Sequence, residues 1–189
     1  MGLPTRKRVR LERHDYSQKG AYFITICTQD KRNLFGYVGA DSISARMIAN
    51  DAGKMVDEAL SEIFAKLKNV FLDKYIIMPN HMHMIMTISL DHTMDETRAD
   101  MESAPTMNGT IEAKFSTPAI ADIVQSLKRY TTIKYIAGVK SGIYPVFDKR
   151  IWQRSYHDHI IRNETDYLRI AQYIEENPAR WEKDCYFIK

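Results

Sequence analysis

The chain has 189 residues, 44% hydrophobic and 27% charged, with a net charge of +3 and a pI near 8.7. These values fit one ordinary globular domain, or one domain with an insertion, and the net charge is too small to name a partner. No run approaches the roughly 18 apolar residues of a membrane span, and the N-terminus lacks a signal-peptide apolar core. Cys27 and Cys185 form no metal or redox spacing. A soluble cytoplasmic protein with no membrane partner is therefore expected.

Residues 1–20 gather Arg6, Lys7, Arg8, Arg10, Arg13 and Lys19 against Glu12 and Asp15. Such an arm attracts a polyanion such as DNA or RNA, although charge alone fits a solvated terminus equally well. "AYFITICTQ" (21–29) is rich in β-branched and aromatic residues and predicts a strand. "LFGYVG" and "SISARMIA" predict a short hairpin around "GADS". Asn50 reads as a helix N-cap. Ala52, Met55, Ala59, Leu60, Ile63 and Leu67 then recur at helical spacing.

"NVFLDKYIIM" and "HMHMIMTIS" read as two strands separated by "PN", either a hairpin or one long bent strand. Residues 91–118 turn polar and lose periodicity, which predicts a surface insertion. "PAIADIVQSLKRYTTIKYIAG" is helical again, with Pro118 suited to its start and Gly138 to its stop. "RIWQRSYHDHII" reads as extended. Asn163, with Asp166 three residues on, caps a last helix that stops at Pro178. The order predicts an α+β fold: a ferredoxin-like sandwich with helices packed on an antiparallel sheet. The expected division is an arm (1–20), a domain (21–180) carrying the 91–118 insertion, and a tail (181–189).

On a strand, alternate residues share a face, so His81, His83, Ile85 and Thr87 lie on one side and Met82, Met84, Met86 and Ile88 on the other. Two imidazoles at this spacing can reach one cation. "HDH", His157 to His159, has the same spacing, and spacing alone does not choose between the pairs. A histidine-triad hydrolase needs a third alternating histidine, and Ile85 stands in that place. On the last helix Tyr173 and Asn177 are four apart and share a face. The amide oxygen of Asn177 can bind a hard cation; Gln172 and Glu176 form a neighbouring pair that can serve the same role.

Four blocks, "YFITICTQDKRNLFG", "MPNHMHMIM", "IWQRSYHDHIIRNETDY" and "YIEENP", occur in this order and resemble the REP-associated tyrosine transposases. These are IS200-like single-strand DNA transposases with an HUH nuclease fold. The resemblance covers roughly residues 20 to 180 and is weak across the insertion. It implies a ferredoxin-like fold of the HUH endonuclease type, with the histidines on a central strand. It implies that Tyr173, rather than Tyr167, is the nucleophile. It also implies that His81 and His83 hold a divalent metal, Mg2+ or Mn2+, with Asn177 in the place of the third ligand. Some relatives carry glutamine as third ligand, and the shorter side chain of Asn177 leaves that ligand open. "HDH" falls in a DNA-binding and scaffold block and ranks below "HMH".

The implied reaction is attack by Tyr173 on a phosphate of single-stranded DNA, giving a 5′-phosphotyrosine and a free 3′-hydroxyl. A free phenol has a pKa of about 10 and needs help to ionise, which a nearby cation supplies. The implied partner is single-stranded or hairpin DNA, bound by a monomer or a homodimer. Arg6, Lys7, Arg8 and Arg10, then Lys128 and Arg129, then Lys149, Arg150 and Arg154, are the expected phosphate contacts. Tyr130 and Trp152 are the expected stacking residues. Two other readings remain: a DNA-hairpin binder that does not cut, and an RNA-binding module on the same type of sheet, which would ordinarily display paired aromatics on its central strands.

Overall fold

The structure, a computed structural model, describes residues 18–40, 45–89 and 118–188. Along the chain these form β1 (Gly20–Cys27), β2 (Gly36–Ala40), β3 (Ala45–Ala49), α1 (Asp51–Phe64), β4 (Val70–Ile77), β5 (His81–Ile88), α2 (Ile120–Lys140), β6 (His157–Ile161) and α3 (Glu164–Glu176). One sheet has the order β4-β5-β1-β6, with each neighbouring pair antiparallel. β2 and β3 pair separately as the expected hairpin. With that hairpin set aside, β1–α1–β4–β5–α2–β6 is a βαββαβ unit, the ferredoxin-like sandwich that the element order predicts. α3 is an addition to it.

The two faces of the sheet carry different cores. Tyr22, Ile24 and Ile26 of β1 join Met82, Met84, Met86 and Ile88 of β5 on one face. The inner stripes of α1 (Ala52, Val56, Leu60) and α2 (Ile120, Ile123, Leu127) pack there. On the other face a smaller cluster joins Ile85 and Ile161 to Ile170, Ala171 and Ile174 of α3. The strict alternation along β1 and β5 sorts the side chains between these cores.

Local signals place most boundaries. The Asn50 side chain accepts from the Gly53 N–H at 2.9 Å, and that of Asn163 from the Asp166 N–H at 2.9 Å, so both expected caps form. β4 and β5 are a hairpin, not one bent strand. Pro79 and Asn80 make its two-residue turn, which closes with the Met78 N–H donating to the His81 carbonyl at 2.8 Å. Gly138 does not stop α2. The helix runs on to Lys140, and Gly142, at φ 72°, carries the left-handed turn after it. Gly138 is small because the Tyr144 ring lies against it, where a Cβ would come within 2.2 Å. Within "RIWQRSYHDHII" only His157–Ile161 is a strand; Trp152 makes an isolated bridge to Thr28.

Past Asn177 the chain does not trail away as a tail. Pro178–Lys183 form a 3-10 turn, and residues 184–187 fold back over the histidine end of the sheet. Of residues 1–20 only the last three are described, and of the insertion only Pro118. No helix among the described residues is long and apolar enough to cross a membrane.

Candidate metal centre and nucleophile

His81 and His83 sit at the start of β5, at 0% and 1% exposure. The register sets His83 opposite Thr25 and His81 opposite Cys27, so the pair faces α3 rather than the methionine core. Their Nε2 atoms are 3.0 Å apart.

Neighbouring bonds fix how His81 points. The Asn80 Nδ2 donates to two backbone carbonyls, Lys31 at 3.0 Å and Tyr186 at 2.8 Å. Only an amide nitrogen can do that, so Asn80 Oδ1 is the atom that faces His81 Nδ1 at 2.9 Å. The Nδ1 atom of His81 therefore carries the proton, and its Nε2 presents a lone pair to the site. His83 Nδ1 meets the Thr25 hydroxyl at 2.8 Å, a partner that can donate or accept and so suits either tautomer.

The opposite wall comes from α3 and from the chain beyond it. Ile170, Ala171 and Ile174 anchor α3 on the sheet, and the same stripe carries Tyr173 and Asn177 to the histidines. The Tyr173 hydroxyl is 3.3 Å from His83 Nε2 and donates to Asp184 Oδ2 at 3.3 Å. Asn177, at 0% exposure, donates from Nδ2 to the same carboxylate oxygen at 3.0 Å. The Tyr186 N–H holds the other oxygen, Oδ1, at 2.8 Å. One ligand atom from each of His81, His83 and Asp184 lies within 4.8 Å of the others.

Burial sets the charge states. It pulls the His81 pKa down to about 3, with the Lys31 charge adding to the effect, and holds His83 well below the ordinary imidazole value. Both rings are thus neutral near pH 7, the form that binds metal. Tyr173 is pushed up to about 12, first by burial and then by the charge of Asp184. Without help it stays a phenol.

The donor set fits a divalent metal on its own chemistry. A fixed lone pair on His81 faces a second neutral imidazole and a carboxylate. Beside them Asn177 Oδ1 is buried with no hydrogen-bond partner. An unpartnered buried oxygen is costly unless something takes its lone pairs.

Other residues chosen from the sequence fare differently. Trp152 is not a surface stacking residue: it is 4% exposed, its indole N–H donates to Thr131 Oγ1 at 2.9 Å, and its ring lies 5.0 Å from Phe35. Tyr130 is committed as well, its hydroxyl to Glu62 and its ring beneath Lys134. Lys128 donates to the carbonyls of Gln153 and Ser155, both at 2.9 Å, so it ties a loop to α2 rather than reaching out for phosphate. Arg129 and Arg154 are exposed around a depression of about 390 Å³ that Arg150 also lines. Lys149 is exposed beside Asp148. Arg6, Lys7, Arg8 and Arg10 lie outside the described residues. The Gln172 and Glu176 side chains bond each other, in the wall of the cavity that His83 and Tyr173 also line. Tyr167 packs against the α3 core. The residue that sequence reasoning missed is Asp184. Nothing in "KDCYFIK" marks it, because its role exists only once the chain folds back.

No family model matches the chain. An uncharacterised protein of Haemophilus influenzae is 34% identical over 190 residues, spanning 99% of this chain and 96% of its own length. The chain belongs to the family of that protein. The structure of a REP-associated tyrosine transposase bound to a REP hairpin aligns with a TM-score of 0.52 and 19% identity, over 91% of this chain and 74% of that one. A transposase candidate from Deinococcus radiodurans aligns at a TM-score of 0.42 and 15% identity, over 88% and 97%. At 19% identity the first likeness is one of fold, so this family has a transposase-like fold, in agreement with the architecture read from the sequence.

Proposed function

We propose that the chain is a metal-dependent DNA transposase or nickase that cuts and rejoins single-stranded DNA through a 5′-phosphotyrosine at Tyr173. The observation that carries the reading is the placement of the Tyr173 hydroxyl, 3.3 Å from both His83 Nε2 and Asp184 Oδ2, in one buried cluster. His81, His83 and Asp184 would hold the metal. Asn177 aims Asp184 through its Nδ2 and leaves Oδ1 as a fourth donor. Mn2+ or Mg2+ held there would supply Lewis-acid stabilisation of the charge that builds on the phosphate oxygens. Two imidazole nitrogens favour manganese over magnesium.

The residues do the rest. Tyr173 already donates its proton toward Asp184 Oδ2, so the carboxylate is placed to take it. The phenolate oxygen then bonds to phosphorus, the bond to the 3′-oxygen breaks, and that oxygen takes up the proton that Asp184 received and leaves as the 3′-hydroxyl. Attack by another 3′-hydroxyl reverses the step. Neither water nor a nucleotide is consumed, because the phosphotyrosine bond keeps the energy of the broken linkage. The solved neighbour is bound to a REP hairpin. A hairpin with an adjacent unpaired strand is the substrate proposed here too, with Arg129, Arg150 and Arg154 on its phosphates.

The test is incubation with labelled single-stranded DNA pools rich in hairpins, with Mn2+ or Mg2+, followed by denaturing gels. A covalent band is expected, and it should vanish with chelator and in Tyr173→Phe. A band that survives Tyr173→Phe places the nucleophile elsewhere, with Tyr167 the first candidate. The second reading, a hairpin binder that does not cut, draws support from the Tyr186 ring, which packs 4.5 Å from that of His81 and crowds the centre. Tight hairpin binding with no adduct would put that reading ahead.

A further inference from the structure

Two alternating histidine pairs stand out in the sequence, and the metal centre uses only one. The other lies on the same face of the sheet. Thr25 is opposite His83 on one side and His157 on the other; Phe23 is likewise opposite Ile85 and His159. Cross-strand partners project to one side. His159 therefore stands two strands across from His83 and two residues along. With strands about 4.8 Å apart and a rise of about 3.4 Å per residue, the two positions are about 12 Å apart. A cavity of about 520 Å³ joins them, with His83, Tyr173, Phe23, Arg169 and His159 in its walls.

His159 is held in place. Its Nε2 is 2.8 Å from Asp166 Oδ2, and the other oxygen of Asp166 takes the Arg169 guanidinium at 2.7 Å. Arg169 first, and His159 second, hold the Asp166 carboxyl below its ordinary value. The carboxylate is thus an acceptor only, Nε2 of His159 is its donor, and Nδ1 is the ring nitrogen left for a ligand. Neither group is needed by the core: the side chains of His159 and Arg169 are 50% and 69% exposed.

We propose that His159, Asp166 and Arg169 form a phosphate-binding subsite for the unpaired DNA strand. It grips a phosphodiester roughly one to two nucleotides from the one that Tyr173 attacks. Phe23, stacked 5.2 Å from His83, is the apolar floor beneath the nucleotide between them. The guanidinium supplies charge and a planar pair of donors, and the imidazole, with both ring nitrogens protonated, donates from Nδ1 as a second contact. The inference rests on the reading of the site as a single-strand DNA nickase.

The test measures binding of a labelled oligothymidylate to Tyr173→Phe protein across a salt series. Each phosphate contact adds about 0.7 to the slope of log K against log salt for a single strand. Arg169→Ala should bind several-fold more weakly with a slope shallower by about 0.7. His159→Ala should also bind several-fold more weakly, and its loss should not add fully to that of Arg169→Ala, since Asp166 couples the two. Lys54→Ala, on α1 across the sheet, is the control for a general loss of charge. An unchanged slope in Arg169→Ala, or losses no larger than the control's, overturns the subsite. His159→Gln and thermal melting exclude misfolding as the cause. The wild-type adduct assay is run beside it: adduct with an unchanged slope removes the subsite and leaves the nickase. A shallower slope without adduct keeps the subsite and removes the cutting.

Discussion

Neighbouring residues on the two faces of β5 are buried equally and for opposite reasons. Met84 and His83 are neighbours in the chain, each 1% exposed, and they point to opposite sides of the sheet. Met84 is buried because removing its apolar surface from water stabilises the fold. His83 is buried against that tendency: an imidazole loses hydration there and is forced neutral. The α1 and α2 side is closed by aliphatic packing. The α3 side is closed only partly by aliphatics, and the rest is polar groups that converge on a point. Burial by itself does not say which face works; what the buried atoms have for partners does.

The sharpest way to break this comparison is to truncate the two neighbours in turn. His83→Ala should lower adduct formation by roughly 10³-fold or more, since a lost ligand removes several kcal/mol of transition-state stabilisation. Its urea midpoint should move little. Met84→Ala should do the reverse, costing about 2–5 kcal/mol of stability while each molecule that stays folded keeps its adduct yield. Denaturant titrations and adduct gels on the same samples read both. Equal losses on both axes for the two variants would dissolve the distinction between the faces.

Of the two faces of β5, the histidine face is the one on which acid should act. His81 titrates near 3 in the fold and near 6.5 unfolded. The unfolded chain therefore takes up a proton that the folded chain refuses, so the stability present above pH 6.5 falls as pH drops toward 3. The slope is about 1.4 kcal/mol per pH unit for each such histidine, before the carboxylates add theirs. With chelator present, urea midpoints between pH 7 and 4 should fall more steeply for wild type than for His81→Gln. Parallel curves would mean that the imidazole is not held neutral.

A smaller effect tests the support behind the ligands. Asn80→Ala leaves every donor in place but frees His81 Nδ1 from its acceptor. It should weaken manganese binding by about 10–100-fold, as loss of an orienting partner does. Calorimetry with the metal alone would measure it. Unchanged affinity would mean that the His81 orientation comes from packing against Trp181 and Tyr186 instead.

Much of this was legible in the chain. The periods of β5 and α1 separated inner from outer residues, and Asn50 and Asn163 capped helices because their side chains reach backbone donors locally. The alternation in "MPNHMHMIM" put both histidines on the face away from the methionines. The i,i+4 spacing of Tyr173 and Asn177 set them on one side of α3. Each of these is a short-range relation, so sequence determines it directly. Gly138 was misread as a stop because its real constraint, the Tyr144 ring, is a contact made by the returning chain. Trp152 and Lys128 looked like ligands for DNA because sequence gives residue type but not partner, and the partners here are Thr131 and the carbonyls of 153–155. The tertiary fold alone decided that Asp184 closes the histidine cluster and that His159 shares the sheet face of His83. Both relations join segments far apart in sequence, through strand register and a chain reversal that no local propensity encodes.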